Sequence, residues 1–259
     1  VWPSEIPVDE YVRLFILEKT LRCFVRNELS KICEKWWRQR VPGNVWSAAE
    51  KRKKDEEKRL MHSIDLHPLW YVDFYDYAEI IAREDNWKEI FESVFINKEG
   101  FKTSMEKLVP IRNKVAHMRP LSIREKKSLD AWSEELLAPI WRVYNERYVR
   151  SAEKLVDKQD YEGAVKILKK GYEETDGDPW IAYKLGELYR SLGELQESKY
   201  WLEIAAEYLP LPRYRKLAHQ KLLEVKRKTR KNTIKICPKC GSKISVKDKY
   251  CRVCGFKTR

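Results

Sequence analysis

Apolar residues recur every three or four positions through most of the chain, which is the period of amphipathic α-helices. In the first such stretch, Leu14, Leu17 and Leu21 begin a pattern that predicts one long helix over residues 8–39, ended by Val41-Pro42-Gly43. Similar patterns predict helices over residues 44–61, 69–83, 87–95 and 101–108. The chain is therefore predicted to have a mainly α fold.

Aromatic residues are concentrated in the segment 69–83. They are Trp70, Tyr71, Phe74, Tyr75 and Tyr77. An aromatic stripe at helical spacing more often fills a core than stacks on nucleic-acid bases, because aromatic side chains dominate core burial. Core packing is the favoured interpretation, and a base-stacking surface is the alternative.

From about residue 141 the pattern changes to a 34-residue repeat, in which positions 152–171 align with positions 186–205. The two units resemble tetratricopeptide motifs, with small residues where paired helices cross. Asp178-Pro179 provides a helix start for the second unit, Pro210 closes it, and residues 213–230 predict a helix that caps the open end. A protein partner in the groove and a purely structural groove both stay open, since such arrays usually need three or more units.

Four cysteines near the C-terminus form two C-x-x-C pairs with ten residues between them. Cys237 and Cys240 make the first pair, and Cys251 and Cys254 make the second. Four thiolates at this spacing predict one structural Zn²⁺ per chain in a small zinc ribbon, with no open coordination position for catalysis. A disulfide pair is the alternative, which a reducing cytoplasm would disfavour.

The net charge of +13 arises entirely in the C-terminal segment. The last 48 residues carry 17 Lys or Arg against two acidic residues, whereas the preceding 211 residues have a net charge of −2. Clustered cations predict a tether to RNA or to a ribonucleoprotein such as the ribosome. A solvated tail that serves solubility is the alternative. No window is apolar enough for a membrane span, so we expect a cytoplasmic protein with no membrane partner.

The segment Arg112-Asn113-Lys114-Val115-Ala116-His117 lies between Pro110 and Pro120. A proline interrupts a helix, so the segment is expected to follow a kink or to start a new helix, near a helix end. On a helix Asn113 and His117 share a face, and Arg112 lies about 140° away, within reach of a long side chain. A guanidinium that binds phosphate, an amide and a titratable imidazole together suit the cleavage of RNA.

This segment resembles the signature of the HEPN superfamily, in the branch named after a eukaryotic nuclear endoribonuclease of RNA quality control. Further matching landmarks are Trp36-Trp37-Arg38-Gln39-Arg40-Val41-Pro42 and Asp73-Phe74, together with Trp87 and Phe91. The resemblance covers about residues 8–140, and Lys114 stands where the family commonly has proline.

The resemblance implies a helical bundle that forms a homodimer with two motifs facing each other. It also implies metal-independent cleavage of RNA to a cyclic phosphate and a 5′-hydroxyl, with Arg112, Asn113 and His117 as catalytic residues. The rival hypothesis is a non-catalytic RNA-binding or ribosome-associated adaptor that uses the same surfaces. The predicted domains are a HEPN-like bundle (1–140), tetratricopeptide-like repeats (141–211), a basic capping helix and linker (212–232) and a zinc ribbon (233–259).

Overall fold

Helices dominate the computed structural model, which describes residues 7–246 and 248–258, and the predicted mainly α fold is confirmed. The N-terminal helices are α1 (Val8–Leu29), α2 (Trp36–Gln39), α3 (Gly43–Leu60), a 3-10 helix (Pro68–Tyr71), α4 (Asp76–Ala82), α5 (Glu84–Asn86), a π turn (Trp87–Phe91), α6 (Glu92–Phe95) and α7 (Lys98–Ala116). After them come α8 (Ile123–Tyr144), a second π turn (Asn145–Val149), α9 (Arg150–Asp157), α10 (Tyr161–Glu174), α11 (Pro179–Ser191), α12 (Leu195–Tyr208) and α13 (Pro212–Thr233). The C-terminus adds two short strands, β1 (Ile234–Ile236) and β2 (Lys243–Ser245).

The first helix is shorter than its hydrophobic pattern predicts. A single helix over residues 8–39 is wrong, because α1 ends at Leu29 and α2 begins only at Trp36. Between the two helices the backbone makes tight-turn hydrogen bonds, from the Ile32 amide to the Leu29 carbonyl (3.1 Å) and from the Trp36 amide to the Cys33 carbonyl (3.3 Å). After this turn Trp36 and Trp37 are both buried, and their rings meet edge to face at 5.8 Å.

Pro110 lies inside α7, which is continuous from Lys98 to Ala116. Of the two alternatives expected at this proline, the start of a new helix is therefore wrong, and a kink within one helix stays a prediction. Met105 and Leu108 before the proline and Ile111 and Val115 after it are buried along one face of α7, and this packing holds the helix together on both sides of the proline. The expected location of the Arg112 segment near a helix end is confirmed.

From α9 onwards the chain forms two helical hairpins, the first of α9 with α10 and the second of α11 with α12. Small residues lie where the helices approach most closely. A Cβ atom on Gly186 would lie 2.7 Å from Cγ of Leu202, and one on Gly171 would lie 2.7 Å from the ring of Tyr148. Both positions therefore require glycine for packing.

The bundle and the hairpins share one hydrophobic core, whose buried members extend from Leu14 to Val225. Asp178 lies where α1, α8 and α11 meet. Its carboxylate accepts hydrogen bonds from Thr20 Oγ1 (3.3 Å), Trp141 Nε1 (3.4 Å) and the backbone amide of Trp180 (2.9 Å). The last of these bonds caps the N-terminus of α11.

The basic C-terminal segment begins as an ordered helix. Ala218, Leu222 and Val225 bury one face of α13, which packs against α12. Antiparallel pairing of β1 with β2 then forms a small ribbon with its own core of Cys237, Ile244 and Cys251. Within residues 7–246 and 248–258, no helix combines the length and the apolar character that a membrane span requires.

Candidate functional site

The Arg112–His117 motif occupies the last turn of α7, and its end is a Schellman cap. The amide of Met118 donates to the carbonyl of Val115 (2.8 Å), and the amide of Arg119 donates to the carbonyl of Lys114 (2.9 Å). Met118 has a left-handed backbone with φ of 54°, which turns the chain away from the helix axis. The cap fixes the backbone immediately after His117.

The three predicted catalytic residues differ in exposure. Arg112 is half-buried, with Nη1 3.5 Å from Asn113 Oδ1 and Nη2 3.8 Å from the carboxylate of Glu18. Asn113 and His117 are exposed, and the His117 amide donates to the Asn113 carbonyl at 3.2 Å. The imidazole of His117 makes no hydrogen bond within the described part of the chain. The structure therefore brings Arg112 and Asn113 into contact and leaves the imidazole open to solvent.

Lys114 ties the motif to the start of α8. Its Nζ lies 2.9 Å from both carboxylate oxygens of Glu125. Glu125 also accepts hydrogen bonds from the Ser122 amide (2.7 Å) and hydroxyl (2.8 Å), which completes a capping box at the start of α8. The Ser122 amide, then Lys114 and the Ser122 hydroxyl, lower the pKa of Glu125 to about 2. The turn that follows His117 is therefore held at both ends.

Arg112 also lines a cleft of about 370 Å³ between α1, α7 and the 3-10 helix. Its other principal lining residues are Tyr11, Phe15, Glu18, Arg22 and Trp70. The prediction that the aromatic segment 69–83 fills the core is correct for Phe74 and Tyr77, which are buried. It is wrong for Trp70 and Tyr75, which are 39% and 38% exposed.

The sequence pattern did not reveal this cleft, because its walls come from three separate segments. The one available signal was the i, i+4 spacing of Glu18 and Arg22 on α1, which permits a helical ion pair. That ion pair forms at 2.9 Å, and it places Arg22 in the cleft wall.

The four C-terminal cysteines converge and could hold a metal ion. Their sulfur atoms all lie within 4.8 Å of one another, with Cys237–Cys254 and Cys240–Cys251 each at 3.6 Å. Four sulfurs about 2.3 Å from a tetrahedral Zn²⁺ would lie roughly 3.8 Å apart, so the cluster has the appropriate size. The residues that follow the two pairs, Gly241 and Gly255, have φ of 72° and 69°, as the tight turns around a bound metal require.

The chemistry of the cluster also suits metal binding. The Ser242 hydroxyl, 3.2 Å from the Cys240 sulfur, and the Ser242 amide lower the pKa of that thiol to about 6, whereas, against a backbone hydrogen bond from Phe256, burial and the neighbouring sulfurs raise the pKa of Cys254 to about 12. A lower pKa favours the thiolate, which is the form that binds metal.

The fold and the site define a mainly α protein with a helix-end Arg-x4-His motif and a C-terminal four-cysteine cluster. The family model described as "Swt1-like HEPN" matches residues 13–140, which supports a HEPN superfamily domain across the N-terminal bundle and α8. This match points to an RNA-related role. Neither the curated proteins nor the solved structures contain a match to the chain.

Proposed function

We propose that this protein is an RNA-directed endoribonuclease of the HEPN type, which cleaves without a metal ion. The observation that carries the proposal is the placement of Arg112, Asn113 and His117 at one exposed end of α7, in the segment that the family model covers. A half-buried guanidinium beside two exposed polar side chains suits an anionic substrate that approaches from solvent.

The proposed reaction is an intramolecular transesterification. The ribose 2′-oxygen forms a bond to phosphorus while the bond from phosphorus to the 5′-oxygen breaks, which leaves a 2′,3′-cyclic phosphate and a 5′-hydroxyl. One proton leaves the 2′-hydroxyl and one reaches the departing 5′-oxygen. In the proposal His117 moves one of these protons, Arg112 stabilises the charged phosphorane, and Asn113 orients the phosphate. A second His117, from a homodimer partner, would move the other proton.

The C-terminal segment is proposed to bind RNA or ribonucleoprotein, with its ribbon folded around one structural Zn²⁺. The size and the turn geometry of the four-cysteine cluster support that ion. The zinc site also suits the cytoplasm as the proposed compartment, because its ligands must stay reduced. The hairpins α9–α12 are the proposed contact for a protein partner, and their groove of about 310 Å³ supports this.

The decisive experiment incubates zinc-loaded full-length protein with RNA in EDTA, and compares wild type with His117→Ala. Zinc content is measured on the same samples. We expect the wild type to produce cyclic-phosphate ends and the variant to lose at least about 100-fold in rate, since a general acid or base contributes roughly 10²–10⁴-fold. The matched control is His62→Ala, because His62 is also exposed and lies outside the motif.

Two outcomes would refute catalysis by this motif. One is a wild-type protein that leaves RNA intact, and the other is a His117→Ala variant that cuts as fast as the wild type. Intact RNA that nevertheless binds the protein would favour the adaptor hypothesis.

A further inference from the structure

The cleft beside Arg112 has an aromatic wall that faces solvent. Tyr11, Phe15, Glu18 and Arg22 recur every three or four residues and so form one stripe along α1. Tyr11 is 47% exposed and Phe15 is 51% exposed, which is unusual for large apolar rings on a helix that otherwise packs in the core. Trp70, on the 3-10 helix, closes the same cleft.

Arg22 holds Trp70 in a fixed position. Its guanidinium carbon lies 4.3 Å from the centre of the indole ring. The same guanidinium donates to the hydroxyl of Tyr77 at 2.9 Å and to Glu18 at 2.9 Å. Trp70 is therefore supported by a cation that is itself anchored twice, which makes the indole a pre-formed stacking surface.

The charges in the cleft leave Arg112 available to an anion. Glu18 is shared by two arginines, so these three side chains carry a net charge of +1. Arg22 is bonded tightly to Glu18 at 2.9 Å, whereas Arg112 lies 3.8 Å from it, beyond hydrogen-bond distance. An entering phosphate can therefore take Arg112 as a ligand without breaking a hydrogen bond to Glu18.

We propose that this cleft binds one unpaired nucleotide of RNA, with its base against Phe15 and Trp70 and its phosphate at Arg112. The volume of about 370 Å³ falls within the range of roughly 300–1,000 Å³ for small-ligand sites. Aromatic side chains stack on bases only where those bases are unpaired, because duplex RNA keeps its bases stacked on each other. The substrate class is therefore single-stranded RNA. This inference rests on the proposed RNA-directed function.

The experiment measures binding without cleavage, so that it is independent of catalysis. The probes are a fluorescent, fully 2′-O-methylated oligonucleotide and the same strand annealed to its complement. Titrations with the full-length chain are run at a salt concentration of about 0.3 M, which weakens phosphate contacts made by the basic C-terminal segment. The variants are Phe15→Ala, Trp70→Ala and Trp70→Phe, and the matched control is Tyr75→Ala. Tyr75 is equally exposed but lines a different groove.

We expect the wild type to bind the single strand more tightly than the duplex. Phe15→Ala and Trp70→Ala should each weaken single-strand binding by about five- to tenfold, with duplex binding unchanged. Trp70→Phe should restore most of the affinity, and Tyr75→Ala should match the wild type. The inference is overturned if both alanine variants bind the single strand with wild-type affinity. It is also overturned if they lose affinity for the single strand and the duplex by the same factor.

A further refuting result concerns a second copy of the chain. The result would be that Phe15→Ala and Trp70→Ala convert a dimer to a monomer, as measured by sedimentation, and leave RNA affinity unchanged. The aromatic wall would then be an interface between protomers. Loss of nuclease activity in His117→Ala would not alter the binding data. Failure of this inference and failure of the proposed catalysis are therefore separate results.

Discussion

Asp178 should make the stability of this protein depend on pH between about 4 and 7. The carboxyl group is buried between α1, α8 and α11, and burial raises its pKa from an ordinary value of 3.8 to about 6. The hydrogen bonds from the Trp180 amide, Trp141 and Thr20 offset only part of this effect. Because the folded pKa lies above the unfolded one, the stabilisation is complete below pH 3.8 and is lost as the pH rises through 6.

The magnitude follows from the difference between the two pKa values. Each pKa unit corresponds to about 1.4 kcal/mol, so ionisation of Asp178 lowers the free energy of unfolding by about 3 kcal/mol between pH 4 and pH 7. Asp178→Asn removes this titration and keeps a good N-cap residue for α11. The variant loses the acceptor for Trp141, which costs about 1 kcal/mol at every pH.

The assay is urea unfolding of wild type and Asp178→Asn, followed by tryptophan fluorescence from pH 4 to pH 7. The informative quantity is the difference in unfolding free energy between the two proteins at each pH, because every other titrating group cancels. Relative to the variant, the wild type should lose about 3 kcal/mol across this range. A difference that stays constant with pH would refute the reasoning. Asp160→Asn controls for the change of cap residue without burial, since Asp160 is the exposed N-cap of α10.

Two further predictions concern the C-terminal segment. Metal analysis should find one zinc per chain, and its removal should collapse the NMR dispersion of residues 235–258 while leaving helical circular dichroism nearly unchanged, because the ribbon core is separate. A ribbon that stays folded without metal would disprove this. Replacing four α13 cations with glutamine should lower the log–log salt slope of single-stranded RNA binding by up to about 3, at roughly 0.7 per phosphate contact. They are Lys216, Lys221, Arg227 and Lys228, which have no ion-pair partner within the described residues. An unchanged slope, or an equal change when Lys51, Lys54 and Lys58 of α3 are replaced, would assign the phosphate contacts elsewhere.

Periodicity was enough to predict the helical class and most helices, because each helix buries one stripe of apolar residues. It failed where that stripe continued across a turn. Leu29, Ile32 and Trp36 keep the helical spacing, so the end of α1 could not be recognised from the pattern alone. At Pro110 the sequence suggested a helix start where the structure has none. Tertiary packing along α7 outweighs the loss of the one hydrogen bond that a proline removes, so the helix continues.

For the candidate site too, the residues that lie close together in the sequence could be predicted, and those brought in from distant segments could not. Arg112, Asn113 and His117 could be found because they lie within six residues, and the four cysteines could be found because metal-ligand spacing is local. Glu18 and Trp70 could not be assigned to the site, because they lie far from Arg112 in the sequence and meet it only in the folded cleft. The capping box of Ser122 and Glu125 has a local, recognisable spacing, but its bond to Lys114 depends on how α7 and α8 pack.

The packing of α13 determines how the basic segment and the cleft are related. Arg215 forms an ion pair with Asp9, and Nε of Arg13 donates to the carbonyl of Pro210 at 2.8 Å. Asp9 and Arg13 share one face of α1, and Tyr11, which lines the cleft, lies two residues from each and so points about 160° away from that face. The start of α13 is therefore fixed against the side of α1 opposite the cleft. Under the proposed function, an RNA held by the basic segment reaches Arg112 only when the strand is long enough to pass around α1, because tethering raises the effective concentration only where the linker spans the two sites.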